Sequence, residues 1–269
     1  MKVKLKLFSI FVMLIFLLSG HSALSQILNV EKIRLESDTV VRFGVDAGLS
    51  FNIYNRTARA DEPVRSLSFK TNLDLTLSSP KHAYLLLNSL RYLSINESPF
   101  ISTAYSHFRA NFFKENTLSY ELFAQYQYDL QRFLDHRYLV GSGMRLRFIE
   151  GDVFTVWAGV GAMYEIEEWD NPLEEGVVIR RMLKNTNYLS TKMHITDWVS
   201  FTTIVYFQWG YDGIDEELRS RIHTDNVLEF EILENFSFTT TFQGSYDTNP
   251  VIPVTNFIYN LNNGFTLKF

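Results

Sequence analysis

Cysteine is absent from all 269 residues. The chain therefore has no disulfide, no thiolate metal site, no thiol nucleophile and no cysteine for a lipid anchor. Long apolar runs are missing as well. Beyond the first twenty-odd residues, nothing approaches the ~20 apolar residues that a membrane-spanning helix requires. Basic blocks are also lacking, and the net charge is −5, so nucleic acid is not an expected partner. A chain with this inventory that crosses a membrane must do so as a closed barrel, because the hydrocarbon region offers no partner to an unpaired backbone group.

Aromatic residues are abundant at 15% of the chain, with 23 Phe and 14 Tyr. That abundance suits the aromatic girdles of a barrel at the two membrane interfaces. At the N-terminus, Met1 to Lys6 carries Lys2, Lys4 and Lys6. Leu7 to Leu18 is apolar, and Ala23, Leu24 and Ser25 place small residues three and one before Gln26. This pattern predicts a secretory signal peptide over 1–25. A retained anchor is the alternative, but the apolar run is short for a span.

From Phe43 onward the chain alternates with period 2. Phe43, Val45, Ala47, Leu49, Phe51 and Ile53 share one face, with Asp46, Gly48, Ser50 and Asn52 opposite. Leu118, Tyr120, Leu122 and Ala124 oppose Ser119, Glu121 and Gln125, and Val205, Phe207 and Trp209 oppose Tyr206 and Gln208. The segment around Ala83–Ile95 has apolar residues on both faces, and Val178–Ile195 alternates weakly. Many segments exceed ten residues, against the five or six usual in soluble strands. Tight turns are predicted near Pro80, Glu115, Gly151, Asp197 and Asn235. Longer polar loops are predicted at Arg56–Val64, Asn96–Phe100, Arg132–His136, Glu167–Gly176, Asp212–Glu217 and Asp247–Thr255. Short periplasmic turns alternating with longer external loops are the outer-membrane pattern.

The expected fold is all-β: a transmembrane antiparallel up-and-down β-barrel of about twelve strands, at roughly twenty residues per strand and connection. Its expected parts are the signal peptide (1–25), a periplasmic N-terminal segment (26–42) and an outer-membrane barrel (43–269). The terminal strand carries Phe265, Leu267 and Phe269 on its apolar face. It resembles the sorting signal of outer-membrane barrels. The expected partners are therefore the barrel-assembly machinery and outer-membrane lipid.

Several stretches resemble the YdiY-like salt-induced outer-membrane protein family (domain of unknown function 481). They are LNVEKIRLESDT (Leu28–Thr39), YLLLN (Tyr84–Asn88), HFRAN (His107–Asn111), LSYELFAQYQY (Leu118–Tyr128) and RYLVGSGMRLR (Arg137–Arg147). The resemblance implies an outer-membrane barrel linked to stress or osmotic response. It brings no catalytic residues.

The candidate site is the polar face inside the barrel. His107, Arg109, Glu121, Asp129, Arg137, Arg145 and Arg147 come from three consecutive strands, where opposite charges can stand side by side. Arg219, Arg221, His223, Asp225, Glu229 and Glu231 form a second stripe. Each reads either as a salt-bridged filling of a narrow lumen or as a charged constriction that selects ions. An internal ladder is the plainer reading of the second stripe. Glu165, Glu167, Glu168, Asp170, Glu174 and Glu175 read as a solvated external loop; the run could hold Ca²⁺, but it lacks a regular ligand loop. Gly141, Gly143, Gly159 and Gly161 suggest curvature, or room for neighbours such as Trp157 and Arg145. An outer-membrane lipase would place a Ser two residues after a His on one strand face. Those positions here are Tyr84, Arg109, Tyr138, Thr196 and Asp225, so no enzyme, cofactor or metal is expected.

If Phe269 completes an assembly signal, deleting it is expected to lower the amount of folded, heat-modifiable barrel in the membrane fraction. Periplasmic aggregate should rise. Unchanged gel mobility and yield would exclude the assembly role.

Overall fold

The computed structural model describes residues 41–55, 64–173 and 176–267. The expected signal peptide, nearly all of segment 26–42, and Phe269 lie outside them, as do Glu174 and Glu175. The described residues form β1 (Arg42–Asn55), β2 (Arg65–Ser78), β3 (His82–Ile95), β4 (Ser98–Phe112), β5 (Leu118–Asp129), β6 (Leu134–Glu150), β7 (Phe154–Asp170), β8 (Val177–Thr196), β9 (Val199–Asp212), β10 (Glu217–Leu233), β11 (Phe236–Asp247) and β12 (Phe257–Leu267). Each strand pairs antiparallel with the next, in chain order from β1 to β12. This is the expected up-and-down barrel. Among the described residues no helix is long and apolar enough to cross a membrane.

Register keeps the two faces apart. Ala110 stands opposite Leu122 on the outside, and Asn111 opposite Glu121 on the inside. Leu122, Val140 and Leu183 are 49–69% exposed on the outer surface, whereas Glu121, Arg109 and Asn111 are buried inside. An apolar exterior and a polar interior are what a barrel wall in hydrocarbon requires. Aromatic rings gather toward both ends. Tyr126 and Tyr138 lie 5.0 Å apart near the end that carries the β5–β6 connection, and Phe236 stacks on Phe265 at 5.6 Å near the opposite end. A few polar side chains do face outward, but they satisfy one another. Thr203 donates to Asn226 at 2.7 Å, Asn226 to Thr224 at 3.0 Å, and Thr240 to Asn263 at 2.8 Å, which lowers the cost of placing them in an apolar medium.

Four connections differ from the sequence expectation; one is Arg132–His136, where β6 already begins at Leu134. Only Asn96 and Glu97 separate β3 from β4, both at positive φ (49° and 69°). They make the two-residue hairpin turn whose twist matches antiparallel strands, not the longer loop expected over Asn96–Phe100. The weak segment at Val178–Ile195 is part of β8, the longest strand at 20 residues. β7 runs to Asp170, so much of the predicted acidic loop is wall. The β11–β12 connection folds inward: Ile252 is buried with Leu134 and Trp169, and Val251 and Val254 pack against them. An apolar cap therefore covers part of the outer mouth. On the ambiguous β3, the inward residues are Ala83, Leu85 and Leu87, which pack with Tyr105.

The facing of β9 can be tested directly. Val205, at mid-strand and outward, is expected to lose about 2–4 kcal/mol when changed to Arg. Thr202→Arg, pointing inward opposite Val227, is expected to be milder. Denaturant titration in detergent or vesicles checks the order; the reverse order would exclude this register.

Candidate functional site

Two carboxylates dominate the lumen. Glu165 and Glu167 follow each other on the inward face of β7, and both are 0% exposed. Neither could remain charged there without partners. Glu167 takes an ion pair from Arg137 on β6, from Arg219 at 2.9 Å and from Arg221 at 2.9 Å on β10. Glu165 takes Lys184 on β8, Arg221 at 3.2 Å and, more distantly, Arg137 at 3.9 Å. Asp247 on β11 closes the set, 3.1 Å from Arg219 and 2.9 Å from Arg221. The indole of Trp169 donates to Glu167 at 3.4 Å. β10 is not a sheet neighbour of β7, since β8 and β9 lie between them. These bonds therefore cross lumen space and narrow the bore on the β6–β11 side. Toward the outer rim, Arg180 pairs with Asp212 at 3.2 Å and Asp215 at 2.9 Å.

A second group sits further along the same wall. Arg109 on β4 pairs with Glu121 on β5 at 3.4 Å, and the Tyr188 hydroxyl on β8 donates to Glu121 at 3.0 Å. This link, too, bridges strands that are not neighbours. Arg109 Nε donates to His107 Nε2 at 3.3 Å, so the imidazole proton sits on Nδ1 and points at Gln125 Oε1, 3.1 Å away. The Arg109 guanidinium lies over the Phe123 ring at 5.2 Å and that of Arg145 over Trp157 at 4.9 Å. The lumenal glycines make the space. A Cβ at Gly159 would run into the Tyr188 ring, and one at Gly141 into Phe123. At Gly143 and Gly161 the obstacle is the backbone of the adjoining strand. Close backbone approach and aromatic rings, with Tyr188 and Phe123 as occupants rather than Trp157 and Arg145, account for these positions.

The predicted residues are distributed unevenly. His107, Arg109, Glu121, Arg137, Arg145, Arg219 and Asp225 are buried in the lumen, and Arg221 and His223 line it. Asp129 ends β5 just before a short 3₁₀ turn, Leu130–Arg132, away from Arg109 and Arg145. Arg147 sits at the rim formed by the β4–β5 and β6–β7 turns, bonded to Glu150 at 2.7 Å and to the Glu115 carbonyl at 2.8 Å. Among the described residues, Glu229 and Glu231 take no part in the ion pairs of β10. Those cations find β7 and β11 instead, so the expected ladder within one stripe is replaced by bonds between strands.

Glu165 and Glu167 are a correction: they are not solvated loop residues but the centre of the network. A signal for them existed, because they continue the period-2 inward face of Thr155, Trp157, Gly159 and Gly161 through Met163 to Trp169. Their acid density, shared with Glu168 and Asp170, imitates a loop. Lys184 and Tyr188 were hidden because β8 carries polar residues outward as well, among them Asn185 and Asn187, which bond to each other. Chemically the arrangement fixes charge. The imidazole of His107 meets Gln125 and Arg109, and that of His136 meets Tyr126.

Residues 65–256 match the family described as "Protein of unknown function, DUF481". The chain belongs to that family. It is the family that the sequence stretches resemble. No curated protein sequence matches. Among solved structures, the chain is similar to one described as "NanC porin structure in rhombohedral crystal form", with 10% identity over 75% of this chain and 94% of the other and a TM-score of 0.45. A second, "Copper transporter OprC", shares 11% identity over 86% of this chain and 42% of that one, with a TM-score of 0.36. At such values neither neighbour transfers a function to this family member.

Gly159→Ala is expected to displace Tyr188 from Glu121 and destabilise the barrel by about 1–3 kcal/mol. Gly264→Ala, where a Cβ meets nothing within 4 Å, should stay within about 0.5 kcal/mol of the parent. Thermal unfolding of the two variants side by side tests the crowding.

Proposed function

We propose that the protein is a non-enzymatic barrel of the bacterial outer membrane that acts as a narrow channel for small solutes or ions, in cells under osmotic or other stress. The observation that carries this reading is the asymmetry of the lumen. The side lined by β6–β8, β10 and β11 is filled by the cross-lumen pairs of Glu165 and Glu167. On β1 the inward Asp46 and Asn52 stay exposed, and the inward residues of β12 include Asn260, Asn262, Gly264 and Thr266. Small, polar side chains would line the proposed path, beside a charged wall that can discriminate between ions. The stress association rests on the family resemblance. A second reading, a barrel that binds rather than conducts, is favoured by the inward-folded β11–β12 connection and by the cavity in the lumen.

The absence of native cysteine makes the path testable by single-site labelling. In planar bilayers the purified barrel is expected to give small, steady currents. Modification of Ser50→Cys on β1 by a bulky charged thiol reagent should reduce them by more than half, whereas Ser190→Cys, 1% exposed on the filled side, should not respond. Silent bilayers with a correctly folded barrel would exclude conduction and leave the binding reading.

A further inference from the structure

The lumen holds a cavity of about 230 Å³ whose wall changes character from one part to another. One part is aromatic: Tyr105, Phe123, Tyr188 and Tyr206. Another is cationic, with Arg132, Arg137 and Arg221 facing it together with His223. Two polar atoms on this wall are buried without a hydrogen-bond partner, Arg132 Nε and His223 Nε2. Both can donate to an oxygen. A buried donor left unbonded is costly, so two on one cavity wall point to an acceptor that arrives from outside the chain.

The charges around the cavity give the sign of that acceptor. The two carboxylates on the wall are already engaged, Glu121 by Arg109 and Tyr188, and Glu165 by Lys184 and Arg221. Asp129 and Asp225 also carry buried oxygens without a hydrogen bond, but neither lines this cavity. Arg132 lies on the 3₁₀ turn outside the membrane-spanning strands. Burial and then the like charge of Arg137 pull its pKa below the usual guanidinium value, with Asp129 opposing and Arg221 adding to the fall. An anion would relieve that repulsion.

We propose that this cavity binds a small organic carboxylate, its oxygens directed at Arg132 Nε and His223 Nε2 and its body against the tyrosine-rich wall. Sites for drug-sized ligands usually span about 300–1,000 Å³, so the ligand is of monosaccharide size or less. A hydroxylated ring suits a wall that combines aromatic faces with Gln125 and Gln127. Binding does not depend on conduction: a barrel silent in bilayers could still bind, and a conducting one could fail to.

The probe is glucuronate, titrated calorimetrically into the purified full-length barrel in detergent. Glucose serves as the neutral comparison and glucosamine as the cationic one. Glucuronate is expected to bind, with glucose at least about tenfold weaker and glucosamine weaker still, the range expected when a charge-assisted hydrogen bond is lost. Arg132→Gln and His223→Leu should each weaken glucuronate by roughly tenfold or more while gel mobility and melting temperature stay close to the parent's. Arg147→Gln, at the rim of the β4–β5 and β6–β7 turns, should leave the affinity unchanged. No heat with glucuronate, equal affinity for glucosamine, or an Arg132→Gln variant that binds as the parent does would each overturn the site. If one variant fails to fold, the other decides.

Discussion

The hydrocarbon region of a membrane supplies no hydrogen bonds, and the rest of this structure depends on that constraint. Backbone N–H and C=O groups in the wall must pair with an adjacent strand, and the antiparallel order from β1 to β12 pairs each strand with the next. Once the outer face is committed to apolar side chains, polar residues have one destination, the lumen. A lumen of this size is too narrow to leave eight or more charges separately hydrated. They pair with one another, and the pairing carries the wall's alternation into the interior.

Glu165 and Glu167 show how far that pairing reaches. Each is fully buried, and each meets cations from strands on both sides of the bore. Arg221 is shared by Glu165, Glu167 and Asp247, so β7, β10 and β11 are tied through one guanidinium. Bonds of this kind hold the shape of the lumen more firmly than contacts between sheet neighbours, because they resist ovalisation of the barrel. The filled side, the small-residue side and the cavity with its unbonded Arg132 Nε and His223 Nε2 are three consequences of where the charges found partners. A passage and a binding cavity can therefore coexist in one lumen without sharing residues such as Ser50.

The architecture was legible in the amino-acid sequence because period 2 is a local property. Strand identity, facing and the short periplasmic turns followed from residues a few positions apart, as on β5, where Leu118, Tyr120 and Leu122 face out. Where the local signal was mixed, the reading weakened. β3 has Leu85 and Leu87 inside and Leu86 outside, and β8 has Asn185 and Asn187 outside, so neither strand declares its faces. The acidic residues from Glu165 to Asp170 read as a loop because charge density outweighs alternation over so short a stretch.

The site itself was legible only as an inventory. Alternation determined that Arg109, Glu121, Arg137, Arg219 and Arg221 point inward, since the face of a side chain depends only on its own strand. Which charge meets which was decided by the tertiary structure. The pairs of Arg219 and Arg221 with Glu167 lie 52 and 54 residues apart in sequence, and they form because curvature of the whole sheet brings β10 opposite β7. The place of Tyr188 beside Glu121 depends likewise on Gly159 leaving room on a strand between them. Period and composition fix the direction of each side chain. Only curvature of the wall around a common interior fixes its partners, because the distance across the bore is a property of all the strands together.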